Sequence, residues 1–373
     1  MSILIGADIV PVASNRRLFQ DALTEKLIDK ELEALMAEAD YRVFNLETPL
    51  TDSEQPIKKH GPNLIAPQLC AEGLKALGID LLTIANNHIM DQGIQGLDST
   101  IEILSKKGIS CVGGGSNLEE ARKLAFFSVD GKRYGVYACA EHEFSIAAKN
   151  IPGANPFDPL ESFDHIAQMR EQCDYIIVLY HGGKEHYRYP SPYLQRVCRK
   201  MVEKGADLVI CQHSHCIGCM EMYKSGTIVY GQGNFLFDRV DNEFWNSSLL
   251  IELTQNGTIN FIPIKKQGHG VRLAIDSEAD NIMSGFKRRS EEILEPGTLE
   301  EYYDEFAKRN LSNYLWYFSG KNMSIFYRIL NRLSRYHYQE AFTRFYKTRN
   351  GTTLRNYIEC EAHRELILEG LKQ

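Results

Sequence analysis

Leu81-Leu82-Thr83-Ile84-Ala85-Asn86-Asn87-His88 is a short apolar run that stops at three polar side chains. Residues 81–85 read as a buried strand, with Asn87 and His88 delivered just past its carboxyl end. The same arrangement recurs on both sides. Residues 3–7 end in Asp8, 41–46 in Glu47, 175–180 in His181, and 208–211 stop just before His213 and His215. Helical patterns separate these runs, over residues 19–39, 67–77, 97–104, 164–172 and 193–204. Alternation of this kind predicts an α/β fold of βαβ units, a sheet covered by helices.

In open α/β sheets, ligands bind outside the carboxyl ends of the strands. Asp8, Glu47, Asn87, His181, His213 and His215 therefore converge on one sheet edge from five separate segments. Carboxylate, amide oxygen and imidazole together suit a divalent transition metal such as manganese, iron or zinc. A carboxylate shared by two such ions sets them about 3.5–4 Å apart. His213-x-His215 would present both rings on one side of an extended segment.

Other signals are weaker. Cys216-x2-Cys219, beside His213 and His215, reads either as bystander thiols or as a small zinc site. Gly113-Gly114-Gly115-Ser116 reads as a turn, since no P-loop lysine follows. Lys58, Lys59, His60, Lys184, His186 and Arg188 lie in loops that can face the metals and hold an anionic substrate, or are solvated charges. Tyr187 and Tyr189 line the cleft or cover it.

The chain has 373 residues and a formal charge of -7, which argues against a nucleic-acid binder. Nine cysteines and a start that already reads as a strand suggest a reducing, cytoplasmic setting. No apolar run is long enough to span a membrane. Beyond Lys266 the composition changes to a helical, aromatic and basic pattern. The expected division is therefore residues 1–266 and a mainly helical extension, 267–373. That extension is open to a solvated face, a lid, an oligomer contact, or a peripheral membrane or acidic-polymer contact.

The blocks Gly6-Ala7-Asp8, Asn45-Leu46-Glu47, Ala85-Asn86-Asn87-His88 with Asp91 and Gly93, His181-Gly182-Gly183-Lys184-Glu185, His213-Ser214-His215 and Gly231-Gln232-Gly233-Asn234-Phe235 occur in this order. Together the set resembles the CapA family of poly-γ-glutamate capsule synthesis proteins, similar in fold to the calcineurin-like metallophosphatases. The resemblance covers roughly residues 3–265. It implies a four-layer α-β-β-α sandwich in which Asp8, Glu47, Asn87, His181, His213 and His215 hold one or two metal ions and Glu47 bridges them. It also implies that His88 protonates the leaving group or stabilises the transition-state oxygens, and that Asp91 orients His88. Lys59, His60, Lys184, His186, Arg188 and Asn234 are the expected substrate contacts. Two departures stand out. Val10 occupies the place of a metallophosphatase histidine, and Glu47 that of an aspartate.

The function so implied is a phosphoesterase-like, metal-dependent hydrolase, in which metal-activated water attacks a phosphoester or a γ-glutamyl carbonyl. Its partner would be a small anionic substrate or a poly-γ-glutamate-like polymer, with capsule-assembly proteins nearby. The rival expectation is a non-catalytic accessory protein that uses the metal cleft to bind an acidic polymer.

Overall fold

Apolar side chains alternate along each strand, and the two faces enter different cores. The computed structural model describes residues 2–238 and 242–371. Its strands are, in chain order, β1 (Ser2–Val10), β2 (Tyr41–Leu46), β3 (Leu81–Thr83), β4 (Ser110–Val112), β5 (Gly114–Gly115), β6 (Ala125–Val129), β7 (Lys132–Ala140) and β8 (Gly153–Ala154). There follow β9 (Tyr175–His181), β10 (Leu208–Gln212), β11 (Met220–Tyr223), β12 (Gly226–Val229), β13 (Asn234–Phe237), β14 (Ser247–Thr254), β15 (Ile259–Gln267) and β16 (Gly270–Leu273).

One sheet has the order β16-β15-β14-β1-β2-β3-β4, with β13 also paired to β1. The other runs β11-β12-β10-β9-β7-β6. Ile3, Ile5, Val43 and Leu81 of the first sheet meet Val136, Ala138, Ile177, Leu179 and Ile210 of the second in a core between them. The intervening residues face outward. Leu4, Phe44 and Leu82 pack on Leu32, Met36, Leu74 and Leu97 of covering helices. Tyr137, Val178 and Val209 pack on Ile166, Leu194 and Met201. Three cores bounded by two sheets and two helical layers make the expected α-β-β-α sandwich. A one-residue slip of any central strand would exchange its two faces, so both cores enforce the register.

That register positions the strand ends. β1, β2, β3 and β4 are parallel, as are β7, β9, β10 and β12. Asp8 sits opposite both Asn45 and Asn234, and His181 opposite Gln212 and Ala140. The β1–β2 pairing breaks between Ile5 and Asp8. A bulge of this kind re-aims a side chain. A Cβ on Gly6 would lie 1.9 Å from the Phe44 ring, so only glycine passes there.

Two local expectations change. The long helix over 19–39 is three pieces, Arg16–Gln20, Thr24–Leu27 and Lys30–Glu38. Phe19, Leu27, Leu32 and Met36 all enter one core. The five-residue step from Leu27 to Leu32 is out of phase with a 3.6-residue turn, so the chain must break to bury all four. Ala22 takes φ 51° at the first break, and Asp29 caps the last piece by accepting from Leu32 N–H at 3.0 Å. Gly114–Gly115 is not a plain turn but pairs with Gly153–Ala154. The compact unit that holds both sheets runs to Leu299. β16 extends the sheet, and Arg289 of the helix Asp276–Glu292 donates to the Gly218 and Ile217 carbonyls at 2.8 and 3.2 Å.

The second compact unit, Glu300–Gln373, is helical. Within it, Trp316 packs edge-on against Tyr327, Tyr338 and Phe342. Among the described residues, no helix is long and apolar enough to cross a membrane.

Candidate metal centre

Asp8 ends up within β1, Glu47 one residue past β2, Asn87 past β3, His181 at the end of β9 and His213 just past β10. All are buried. Their ligand atoms fall into two groups, Glu47 with His181 and His213, and Asp8 with Glu47 and His215. Glu47 belongs to both.

His181 Nε2 lies 3.1 Å from Asn87 Oδ1, 3.2 Å from Glu47 Oε1 and 3.2 Å from His213 Nδ1. One imidazole nitrogen carries at most one proton and cannot serve three such neighbours. Ligands each about 2.1 Å from a common ion sit about 3.0–3.4 Å apart, and these separations match that spacing. Asp8 Oδ2 and both Glu47 oxygens are buried with no hydrogen-bond partner. Their nearest charged company is imidazole, with His215 Nδ1 at 3.5 Å from Asp8. Buried carboxylates left this way cost several kcal/mol each unless a cation meets them. The donor set thus fits a divalent metal.

The electrostatics agree. Burial disfavours charge on His215, yet Glu47 and Asp8 outweigh it and raise the ring to about 9. Burial likewise works against His181, and Glu47 and Asp8 again raise it. Burial would raise the Asp8 carboxyl, but the His215 contact and the charges of His181 and His215 hold it below its ordinary value. His213 goes the other way. Burial first, then the charges of His181 and His215, keep it neutral, with its lone pair available.

An inner ring of amides aims these ligands. Asn45 donates to Asp8 Oδ1 at 2.7 Å and approaches His181 Nδ1 at 3.4 Å. Its own oxygen accepts from Thr83 at 3.1 Å and Asn86 at 3.2 Å. Glu143 accepts from Asn87 Nδ2 at 3.2 Å, which turns Asn87 Oδ1 toward His181. Gln212 and Gln232 bond each other and the Gly6 and Ile5 carbonyls, tying the two sheets together at this edge.

Residues 4–239 of the sequence match the family described as bacterial capsule synthesis protein PGA_cap. The chain belongs to this family. It is 29% identical over 241 residues to the capsule biosynthesis protein CapA of Bacillus anthracis, and the match covers 61% of this chain. It is 30% identical over 237 residues to the PGA biosynthesis protein CapA of Bacillus subtilis, covering 62% of this chain. The matches span 59% and 62% of those curated relatives' own lengths. Among solved structures, a phosphatase from Mycoplasma pneumoniae superposes with a TM-score of 0.44 at 14% identity, covering 71% of this chain and 93% of that one.

In this PGA_cap chain the remaining candidates separate into groups. His88 Nδ1 lies 2.6 Å from Asp91 Oδ2, which also accepts from Leu64 N–H at 2.6 Å. Lys59 is not free for substrate. Its buried ammonium pairs with Asp91 and lies 3.2 Å from His88 Nδ1. His186 accepts from Trp245 Nε1 at 2.8 Å and stacks on Phe244, so it is part of an aromatic wall. Arg188 donates to the Ile217 carbonyl at 3.0 Å and lies over the Phe244 ring. Asn234 Oδ1 is 2.8 Å from His215 Nδ1, beside the candidate ligands and not free in the cleft. Only His60 and Lys184 of the substrate set remain exposed.

The paired histidines also differ from expectation. His213 and His215 take φ 87° and 53°, left-handed values, and join different ligand groups. The strand stops at Gln212, so period-two alternation does not reach them. Left-handed backbone at two non-glycine residues is strain of the kind that clusters at functional sites. Cys216 and Cys219 are buried outside both ligand groups, and burial raises the Cys216 thiol to about 11. Tyr187 is buried, and Tyr189 donates to Glu292 at 2.5 Å.

Asn45, Glu143, Gln212 and Gln232 were not among the expected site residues. A buried amide inside the apolar run 41–46 was the available signal for Asn45. Nothing in the linear order links Glu143 to Asn87, 56 residues away.

Proposed function

We propose that this chain is a metal-dependent, phosphoesterase-like hydrolase of an anionic substrate in capsule or poly-γ-glutamate synthesis. The observation that carries the reading is the buried Asp8–Glu47 pair, whose three unpartnered oxygens face the ligand atoms of His181, His213 and His215. Asp8, Glu47 and His215 would hold one ion. Glu47, His181, His213 and Asn87 would hold another, with Glu47 shared. Manganese, iron or zinc suits this mixture of oxygen and imidazole donors. When bound, such ions supply Lewis-acid charge and lower the pKa of water toward neutrality.

The chain's own groups do the positioning and the proton transfer. His88 is partly exposed, at 12%, beside completely buried Asp91. With its Nδ1 proton donated to Asp91, a doubly protonated His88 would deliver its second proton from Nε2 to a leaving oxygen and return to the neutral ring. Lys59 neutralises Asp91 and so keeps that carboxylate from raising the cost of burial. Lys184, beside Gly182-Gly183, is an exposed cation that would meet an anionic group. Poly-γ-glutamate and a phosphoester both present such a group.

The test is elemental analysis of purified protein together with turnover of a phosphodiester and a γ-glutamyl anilide. One or two equivalents of transition metal are expected. Glu47→Ala should strip the metal, and His88→Ala should keep it while lowering turnover by about 10²–10⁴-fold. Metal-free protein whose hydrolysis survives Glu47→Ala would overturn the reading. Poly-γ-glutamate binding with no turnover, unaffected by His88→Ala, would replace it with a binding role.

A further inference from the structure

The helix Ile325–Leu333 in the second unit is built inside out. Its sequence, Ile-Phe-Tyr-Arg-Ile-Leu-Asn-Arg-Leu, puts Ile325, Phe326, Ile329 and Leu333 on one continuous face at 100° per residue. In a helix folded onto a core that face turns inward. Here Ile325, Phe326, Ile329 and Leu333 are 65%, 68%, 54% and 79% exposed. The buried residue is instead Asn331, at 5%. Asn331 is locked inward, its Nδ2 donating to Gln339 Oε1 at 2.8 Å and its Oδ1 accepting from Gln339 N–H at 3.1 Å. Gln339 in turn donates to Asn313 at 2.8 Å. A fully satisfied buried amide network of this kind specifies one orientation, so the outward apolar face is built in.

Charge identifies what covers that face. On the helical wheel Arg328 and Arg332 border one edge of the apolar stripe. Between Lys308 and Arg355 the chain carries ten Lys and Arg residues against a single acid, Glu340, with Lys308 and Arg355 paired to Asp304 and Glu359 just outside that span. A second copy docked helix to helix would set Arg328 and Arg332 against their own counterparts. A polyglutamate chain would satisfy the cations but leave the exposed Ile, Phe and Leu in water. An anionic bilayer surface satisfies both, burying the apolar face at the headgroup boundary and pairing lipid phosphates with the bordering arginines. An open cavity beside the helix, lined by Trp316, Tyr317, Arg328, Arg332 and Tyr336, offers aromatic and cationic groups to a headgroup.

We propose that the second unit docks on an anionic phospholipid surface through the outward face of Ile325–Leu333. The test is co-sedimentation of the full chain with vesicles of phosphatidylglycerol and phosphatidylcholine, against phosphatidylcholine alone. Binding should require phosphatidylglycerol and weaken with added salt. Arg328→Ala/Arg332→Ala should weaken it at least tenfold, at about fivefold per cation. Phe326→Ser/Ile329→Ser should also weaken it at least tenfold, with an unchanged circular dichroism spectrum and melting midpoint. Because both positions are exposed, these variants leave the fold intact. No binding at low salt, or binding that survives both double variants, overturns the proposal. So does sedimentation velocity showing a dimer that Phe326→Ser/Ile329→Ser dissolves while vesicle binding is absent.

Discussion

Single side chains decide whether the site is a metal centre or merely a buried polar cluster. The pair Lys59–Asp91 is the sharpest case, because both side chains are nearly fully buried, at 3% and 0%. Lys59→Met should cost about 3–5 kcal/mol in urea unfolding, since Asp91 is left charged and unpaired. Adding Asp91→Asn should recover part of that loss, and simple additivity of the two would contradict the pairing. Glu143 has a different part. It touches no candidate ion but holds the Asn87 amide by Nδ2. Glu143→Ala should weaken metal binding by about 10–100-fold in a competition titration and leave the melting midpoint of metal-free protein almost unchanged. The six ligand candidates were legible as residue types at strand ends. Their second-row partners were not, because hydrogen bonds across 56 residues have no periodic trace in sequence.

Elements set the aim of those side chains. β1 must bend at its bulge so that Asp8 leaves the pleat and meets His215, and Gly6 permits it by clearing the Phe44 ring. Gly6→Ala should therefore destabilise the fold by about 1–3 kcal/mol and lower metal content, and Phe44→Leu should restore part of both. Full metal content in Gly6→Ala would show that the bulge is dispensable. The strands themselves were well anticipated, since alternation and apolar runs are strong local signals. The helix over 19–39 was not, because each apolar residue had helical spacing to a neighbour while the set as a whole was out of phase. Likewise the turn after Gln212 hides inside a His-x-His spacing that reads as extended.

At the scale of the molecule, the compact unit carrying the site closes only at Leu299. A chain ending at 299 should unfold cooperatively, with the metal content of the full chain. One ending at 266 should lose cooperativity, because it lacks β16 and the helix whose Arg289 and Ser290 hold the segment after His215, Ser290 by accepting from Met220 N–H at 2.9 Å. Size-exclusion chromatography and urea unfolding check both. Equal behaviour of the two truncations would place the boundary back at the compositional change. Composition shifts where solvent exposure shifts, so it marks the surface helices and not the last element that completes a core. The sequence by itself determined the α/β alternation and the residue types at the strand ends, because periodicity and apolar runs are local properties of the chain. Only the tertiary structure decided which ligands share an ion's space, which cations are spent on ion pairs, and that one amphipathic helix wears its apolar face outward. Each of those depends on distances between segments far apart in the chain.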